Sequence, residues 1–185
     1  MSESGNGGSR RGGANEARTV PLAQLPTSGR FFEDFEVGQL IRHPLGRTVT
    51  STDNIWFTNL TMNPNPIHFD HVYAAATEWG RPLVNSAFTM ALVTGLTVED
   101  LSKNGVNLGW DRVRLPHPVF EGDTLYAESE VISSRASESR PTQGIVGFRT
   151  TGFNQEGVTV IEYDRTVLVY RRDAAPRRQV PRRRE

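Results

Sequence analysis
The sequence predicts an α+β protein, one antiparallel sheet wrapped around a central buried helix, on three observations. Four β-rich runs, 106–115, 123–134, 143–153 and 158–170, follow one another with short turns between them, which suits antiparallel neighbours. The run 84–101 ahead of them carries apolar or small residues on nearly every face. As a helix of about four to five turns it needs a cover all round, and the strands that follow supply one. The 185 residues show no repeat and suit one domain with one core.

Taken in order, Phe31-Phe32-Glu33-Asp34-Phe35-Glu36-Val37-Gly38 is an apolar lead-in that turns at its glycine, and 41–49 reads as a short strand. Thr50, Ser51 and Thr52 offer capping hydroxyls, and Asp53 suits the positive end of a helix. Ile55, Trp56 and Leu60 then recur at helical spacing. Asp70 caps a second helix through Val72, Tyr73, Ala76 and Trp79, which stops at Gly80 with Pro82 beyond. Asn85 or Ser86 caps the central helix. Gly122-Asp123 and Gln155-Glu156-Gly157 are the turns between strands.

Composition excludes several classes. There is no cysteine, hence no disulfide, thiolate catalyst or cysteine-based zinc site. No run approaches eighteen apolar residues, and Arg10, Arg11 and Arg18 precede no apolar stretch of the secretory kind, so a cytoplasmic protein with no membrane contact is expected. The net charge of zero hides an asymmetry. Residues 1–29 are Gly/Ser/Asn-rich and 172–185 arginine-rich, and both are expected to be disordered tails on a folded domain, 30–171. With 1–28 and 171–185 set aside, 11 basic residues face 17 acidic ones, so the body is about −6. A basic end of this kind suits solvent, nucleic acid or the phosphates of a cofactor, but the acidic body lacks the basic face of a nucleic-acid reader.

The chemistry is expected in Leu60-Thr61-Met62-Asn63-Pro64-Asn65-Pro66-Ile67-His68-Phe69-Asp70. Two prolines fix their own φ and bias the residues before them away from helix, while Asn63 and Asn65 are turn formers. The stretch is therefore a stiff loop between two helical runs, and it presents Asn63 and His68 from nearly fixed positions.

With Leu115-Pro116-His117-Pro118-Val119-Phe120-Glu121-Gly122-Asp123-Thr124-Leu125 also in view, the chain resembles the MaoC-like dehydratases from about Phe31 to Tyr170. These hot-dog-fold enzymes include the R-specific enoyl-CoA hydratases. The carrying pattern is Asn-Pro-hydrophobic-His followed six residues later by a small residue, here Ala74, together with the buried helix and the Pro-Val-x-x-Gly-Asp turn. The resemblance implies a homodimer or higher homo-oligomer, an acyl-CoA substrate with no separate cofactor, and reversible addition of water to an enoyl thioester. His68 matches the catalytic histidine and Asn65 the structural asparagine. Asn63 stands where the family has its catalytic aspartate, and Val84-Asn85-Ser86 replaces the usual Ala-His-Gly. The sequence is similar to the branch acting on mesaconyl-, itaconyl- or methylmalyl-type CoA esters.

That resemblance implies roles residue by residue. His68 is expected to serve as acid and base, Asn63 to orient water, and Ser86 with its neighbours at the helix start to hold the thioester oxygen. Asp70 or Asp53 is a candidate to replace the missing carboxylate. Asn65, Asn85, Arg81, Arg112 and Arg114 are expected around the substrate, the arginines facing a substrate carboxylate or the CoA phosphates. The spacing of His68, Asp70 and His71 is not that of a metal site. His117 is read as a strand-end residue at the turn, and Trp56, Trp79 and Trp110 as core or dimer contacts. Ser86 as a nucleophile, a hot-dog thioesterase and a non-catalytic acyl-CoA binder are the weaker readings.

Overall fold
A computed structural model describes residues 22–25 and 28–181. They fall into two compact units. In the smaller, Leu22–Leu25 (β1) pairs antiparallel with Arg178–Pro181 (β8). Both strands lie in spans expected to be tails; 1–21, 26–27 and 182–185 of those spans lie outside the described residues.

The larger unit is built on an antiparallel sheet. Its strands are Leu40–Arg42 (β2), Arg47–Thr48 (β3), Gly105–Arg114 (β4), Thr124–Ala136 (β5), Gln143–Phe153 (β6) and Thr159–Tyr170 (β7). The order is β2-β5-β6-β7-β4, with β3 also on β5. The helices are Ser51–Leu60 (α1), His71–Ala75 (α2), Ser86–Leu96 (α3) and Val98–Leu101 (α4), and a 3₁₀ turn spans Pro66–His68. The sheet curls around α3, the hot-dog arrangement. One core cluster joins Val93 of α3 to Val84, Val119, Leu125, Val160, Ile161 and Tyr163. A second joins Leu101 of α4 to Phe35, Ile41, Val131, Val146, Phe148 and Val167. Gly152 lets the helix approach, because a Cβ there would stand 2.7 Å from Val93 Cγ2.

Several elements differ from the sequence reading, each for a local reason. The strand expected over 41–49 breaks into β2 and β3 around Pro44, which has no N–H for a ladder. The second helix ends at Ala75 rather than running to Trp79. The run 84–101 bends at Thr97 into α3 and α4, and α3 is not buried all round. The sheet covers the side of Thr89 and Val93, while Ala87, Ala91 and Gly95 stay exposed. Trp56, Trp79 and Trp110 are 67%, 39% and 40% exposed, so none is a core residue.

Buried polar groups brace the helix–sheet contact. Arg165, 1% exposed, donates to Asn107 Oδ1 (2.6 Å), Thr97 Oγ1 (2.8 Å) and Ser102 Oγ (2.7 Å). Its charge lies against Thr97, the C-cap of α3, where the helix dipole favours a cation. His43 Nδ1–H donates to Asp100 (2.7 Å), and its Nε2 accepts from Ser129 Oγ (3.1 Å), which meets Thr150 Oγ1 at 2.9 Å. Asp100, His43 and Ser129 line up like a nucleophile triad, but Ser129 is 1% exposed and its hydroxyl meets His43 and Thr150.

Candidate active site
The site is assembled from α1 outward. Thr50 and Asp53 close a capping box, Thr50 Oγ1 accepting from Asp53 N–H and the carboxylate accepting from Thr50 N–H. Arg47 adds two donors to Asp53, at 2.7 and 2.8 Å, and holds its carboxyl well below the usual carboxylate range. Asp53 is thus committed to the helix start. Asp70 likewise caps α2, accepting from Val72 and Tyr73 N–H. Neither replaces the missing carboxylate at the cavity described below.

One turn into α1, Asn54 and Thr58 point inward and are fully buried. The helix then stops. Met62 takes a left-handed φ of 55° and Asn63 N–H returns to Thr58 C=O. Asn63 Oδ1 accepts from Asn65 N–H (3.1 Å) and Asn65 Oδ1 from Ile67 N–H (3.2 Å), two successive side-chain turns that deliver His68 at the end of the 3₁₀ turn.

His68 is 9% exposed. Its Nδ1 lies 2.9 Å from the Leu83 carbonyl oxygen. A carbonyl only accepts, so Nδ1 carries the proton and Nε2 is the basic nitrogen. Asn54 fixes this arrangement: its amide N–H groups donate to the carbonyls of His68 (2.8 Å) and Leu83 (3.0 Å), and its Oδ1 accepts from Asn85 N–H (2.9 Å). Asn85 in turn caps α3 through Ala87 N–H (3.0 Å) and donates to Thr58 Oγ1 (3.2 Å). Glu121 Oε1 lies 3.4 Å from the Asn54 amide.

His68 and Ser86 line one cavity of about 240 Å³, with Trp79, Thr89, His117 and Val119 among its walls. Ser86 opens α3, so the cavity floor meets the positive end of that helix. The structure therefore brings His68 and Ser86 together. It does not place Asn63, Asn65, Asn85, Arg81, Arg112 or Arg114 on that lining. Asn63 and Asn65 shape the loop and Asn85 caps α3, while Arg81 lies over the Phe120 ring at 3.8 Å. Arg112 sits at a bulge of β4 with φ 53° and pairs with Asp164, which Arg149 also reaches at 3.2 Å. Arg114 stands opposite Glu162 on β7.

Sequence reading missed Asn54 and the place of His117. A polar pair at i and i+4, Asn54 and Thr58, on the inward stripe of a helix was the available signal. Among the described residues there is no group of three or more His, Asp or Glu able to hold a metal, and no helix long and apolar enough to cross a membrane.

A helix-wrapping antiparallel sheet with a histidine loop at the helix start defines a MaoC-like hot-dog protein. Comparison with known proteins is more specific. The sequence matches the family described as mesaconyl-CoA hydratase over residues 17–178, and the chain belongs to that family. It is 39% identical over 149 residues to the mesaconyl-CoA hydratase of Cereibacter sphaeroides, covering 80% of this chain and 43% of that protein. It is 32% identical over 130 residues to the (R)-specific enoyl-CoA hydratase of Aeromonas caviae, covering 70% of this chain and 91% of that one. The crystal structure of a putative MaoC domain protein dehydratase from Chloroflexus aurantiacus superposes with a TM-score of 0.74 at 34% identity, over 90% of this chain and 46% of that one. The chain thus spans less than half the length of its mesaconyl-CoA hydratase relative.

Proposed function
We propose that this chain is a hydro-lyase that adds water reversibly to an enoyl-CoA thioester, the acyl group being short and branched or dicarboxylyl, of the mesaconyl-, itaconyl- or methylmalyl-CoA type. The observation that carries the reading is the His68 tautomer. Nδ1–H is spent on Leu83 C=O, so Nε2 is a base on the wall of a cavity that also meets the start of α3.

In hydration, Nε2 takes a proton from water as its oxygen bonds C3 of the enoyl group. Charge moves into the thioester oxygen, which the Ser86 N–H, its hydroxyl and the α3 dipole stabilise. The imidazolium then returns its proton to C2, and dehydration runs the same steps backward. One imidazole serves as both base and acid, and every step uses only the chain, water and the thioester. With its Oδ1 engaged by Asn65 N–H and its side chain off the cavity lining, Asn63 serves by shaping the loop rather than by orienting water.

A second copy of the chain is the proposed partner. Strand β4 is an edge of the sheet, and Val106, Leu108 and Trp110 on it are exposed, 53%, 53% and 40%. Side-by-side pairing of two β4 edges covers them. A CoA-thioester substrate fits work in the cytoplasm. The test is to give the protein mesaconyl-CoA and crotonyl-CoA and follow the conjugated thioester band, free thiol and product mass. Hydration removes the band, adds one water and frees no thiol; release of thiol instead identifies a thioesterase, and no change identifies a binder.

A further inference from the structure
His117 occupies a position that the hydration steps leave unused. Pro116 and Pro118 flank it and hold its backbone, and its Nδ1–H donates to the Thr159 carbonyl at 2.8 Å, at the start of β7. The ring is thereby pinned on the wall of the cavity that His68 and Ser86 share. The other walls are apolar or hydroxyl-bearing: Trp79, Leu83 and Val119 on one hand, Ser86 and Thr89 on the other. The two histidines are the only titratable side chains on the lining.

The size of the cavity turns this placement into a specificity argument. About 240 Å³ is on the order of eight water volumes, so a four- or five-carbon acyl group reaches the walls. If that acyl group carries a free carboxylate, the carboxylate meets an apolar wall, a hydroxyl or a histidine, and an anion set against an apolar wall without a partner is disfavoured. The three arginines expected around the substrate are not on the lining: Arg112 pairs with Asp164, Arg81 lies over Phe120 and Arg114 stands opposite Glu162. With His68 committed to the reacting carbons, His117 is, among the described residues, the one remaining wall group able to carry positive charge.

We propose that His117 is the specificity residue for a dicarboxylyl acyl-CoA, its Nε2–H binding the free carboxylate of the substrate. The assignment rests on the hydratase reading of the cavity. Because Nδ1–H already serves Thr159, neutral His117 presents only a lone pair at Nε2 and repels an anion. Binding the carboxylate therefore takes up one proton. Because binding takes up a proton, the preference for a dicarboxylyl substrate weakens as pH rises. His68 shares the cavity lining with it, Arg114 and Glu121 are charged groups on its own segment, and Glu156 and Glu162 are those near Thr159 in sequence.

The experiment compares mesaconyl-CoA, a dicarboxylyl thioester, with crotonyl-CoA, which has no free carboxylate, in wild type and His117→Gln. Both kcat/KM and calorimetric Kd are measured from pH 5.5 to 8.5, with free CoA as a third ligand. The expected result is a mesaconyl-to-crotonyl ratio lowered about 10- to 100-fold by His117→Gln, the scale of one charge-assisted hydrogen bond. In wild type the same ratio should fall as pH rises, by up to about tenfold per unit, and in the variant it should be flat. An unchanged ratio overturns the proposal, as does an equal loss for both thioesters. Equal weakening of free CoA also overturns it, because it places His117 on a CoA phosphate. If wild type hydrates neither thioester, the hydratase reading fails, and the ratio of the two Kd values still decides the role of His117.

Discussion
The Asn54 side chain and the His68 backbone are joined by a 2.8 Å hydrogen bond across fourteen residues of sequence. The same amide holds the Leu83 carbonyl that sets the His68 tautomer, and its oxygen holds Asn85 at the start of α3. One buried side chain thus ties the base to the helix end that faces the thioester.

Replacing Asn54 by Ala should disturb both fold and base. Each buried partner left unpaired costs about 1–3 kcal/mol, so urea unfolding should show a loss of that order or more. With Leu83 C=O less firmly held, the ¹⁵N shifts of His68 should report a mixture of tautomers, and kcat should fall more than KM changes. Thr58→Val, which removes the neighbouring contact to Asn85, should lower stability and leave the His68 tautomer intact. Equal tautomer shifts in both variants would reduce Asn54 to a packing residue.

Met62→Gly should stabilise the protein. A side chain at a φ of 55° is disfavoured by about 1–2 kcal/mol, and Met62 is 88% exposed, so little packing is lost on its removal. The greater freedom of glycine in the unfolded chain offsets about half of the gain. A rise of about 0.5–1 kcal/mol in unfolding free energy is expected, and a fall would mean that Met62 makes contacts in an assembled form.

Stability should drop below neutral pH through His43. Burial keeps its imidazole below the ordinary histidine value, and this outweighs the pull of Asp100 at 2.7 Å. Below about pH 6.5 the unfolded chain therefore binds a proton that the folded chain refuses. The contribution is present above that value and is lost as pH falls further. Urea midpoints at pH 7.5, 6.5 and 5.5 should decline in wild type and decline less in His43→Gln; parallel slopes would remove His43 from the account.

Much of this was readable from local chemistry. Caps at Asp53, Asp70 and Asn85, the proline-braced loop and the four long strands all depend on neighbours in sequence, and each stands where its residues imply. What escaped depends on distant partners. Asn54 acquires its meaning from carbonyls 14 and 29 residues away, and Arg165 from groups 58 to 68 residues away. Arg112 is turned off the cavity by a bulge that no periodicity announces. The exposed stripe of α3 escaped because an apolar helix in sequence does not reveal which side its sheet will cover.

The central claim is that the Nε2 of His68 moves the proton in hydration, and the most direct measurement is the decay of the mesaconyl-CoA enoyl band under wild type and His68→Gln, with thiol assayed in parallel and fold checked by circular dichroism. The account predicts rapid decay without thiol in wild type and a rate lower by about 10²–10⁴-fold in a variant of unchanged fold. A variant as fast as wild type, or thiol released in step with the band, would contradict it.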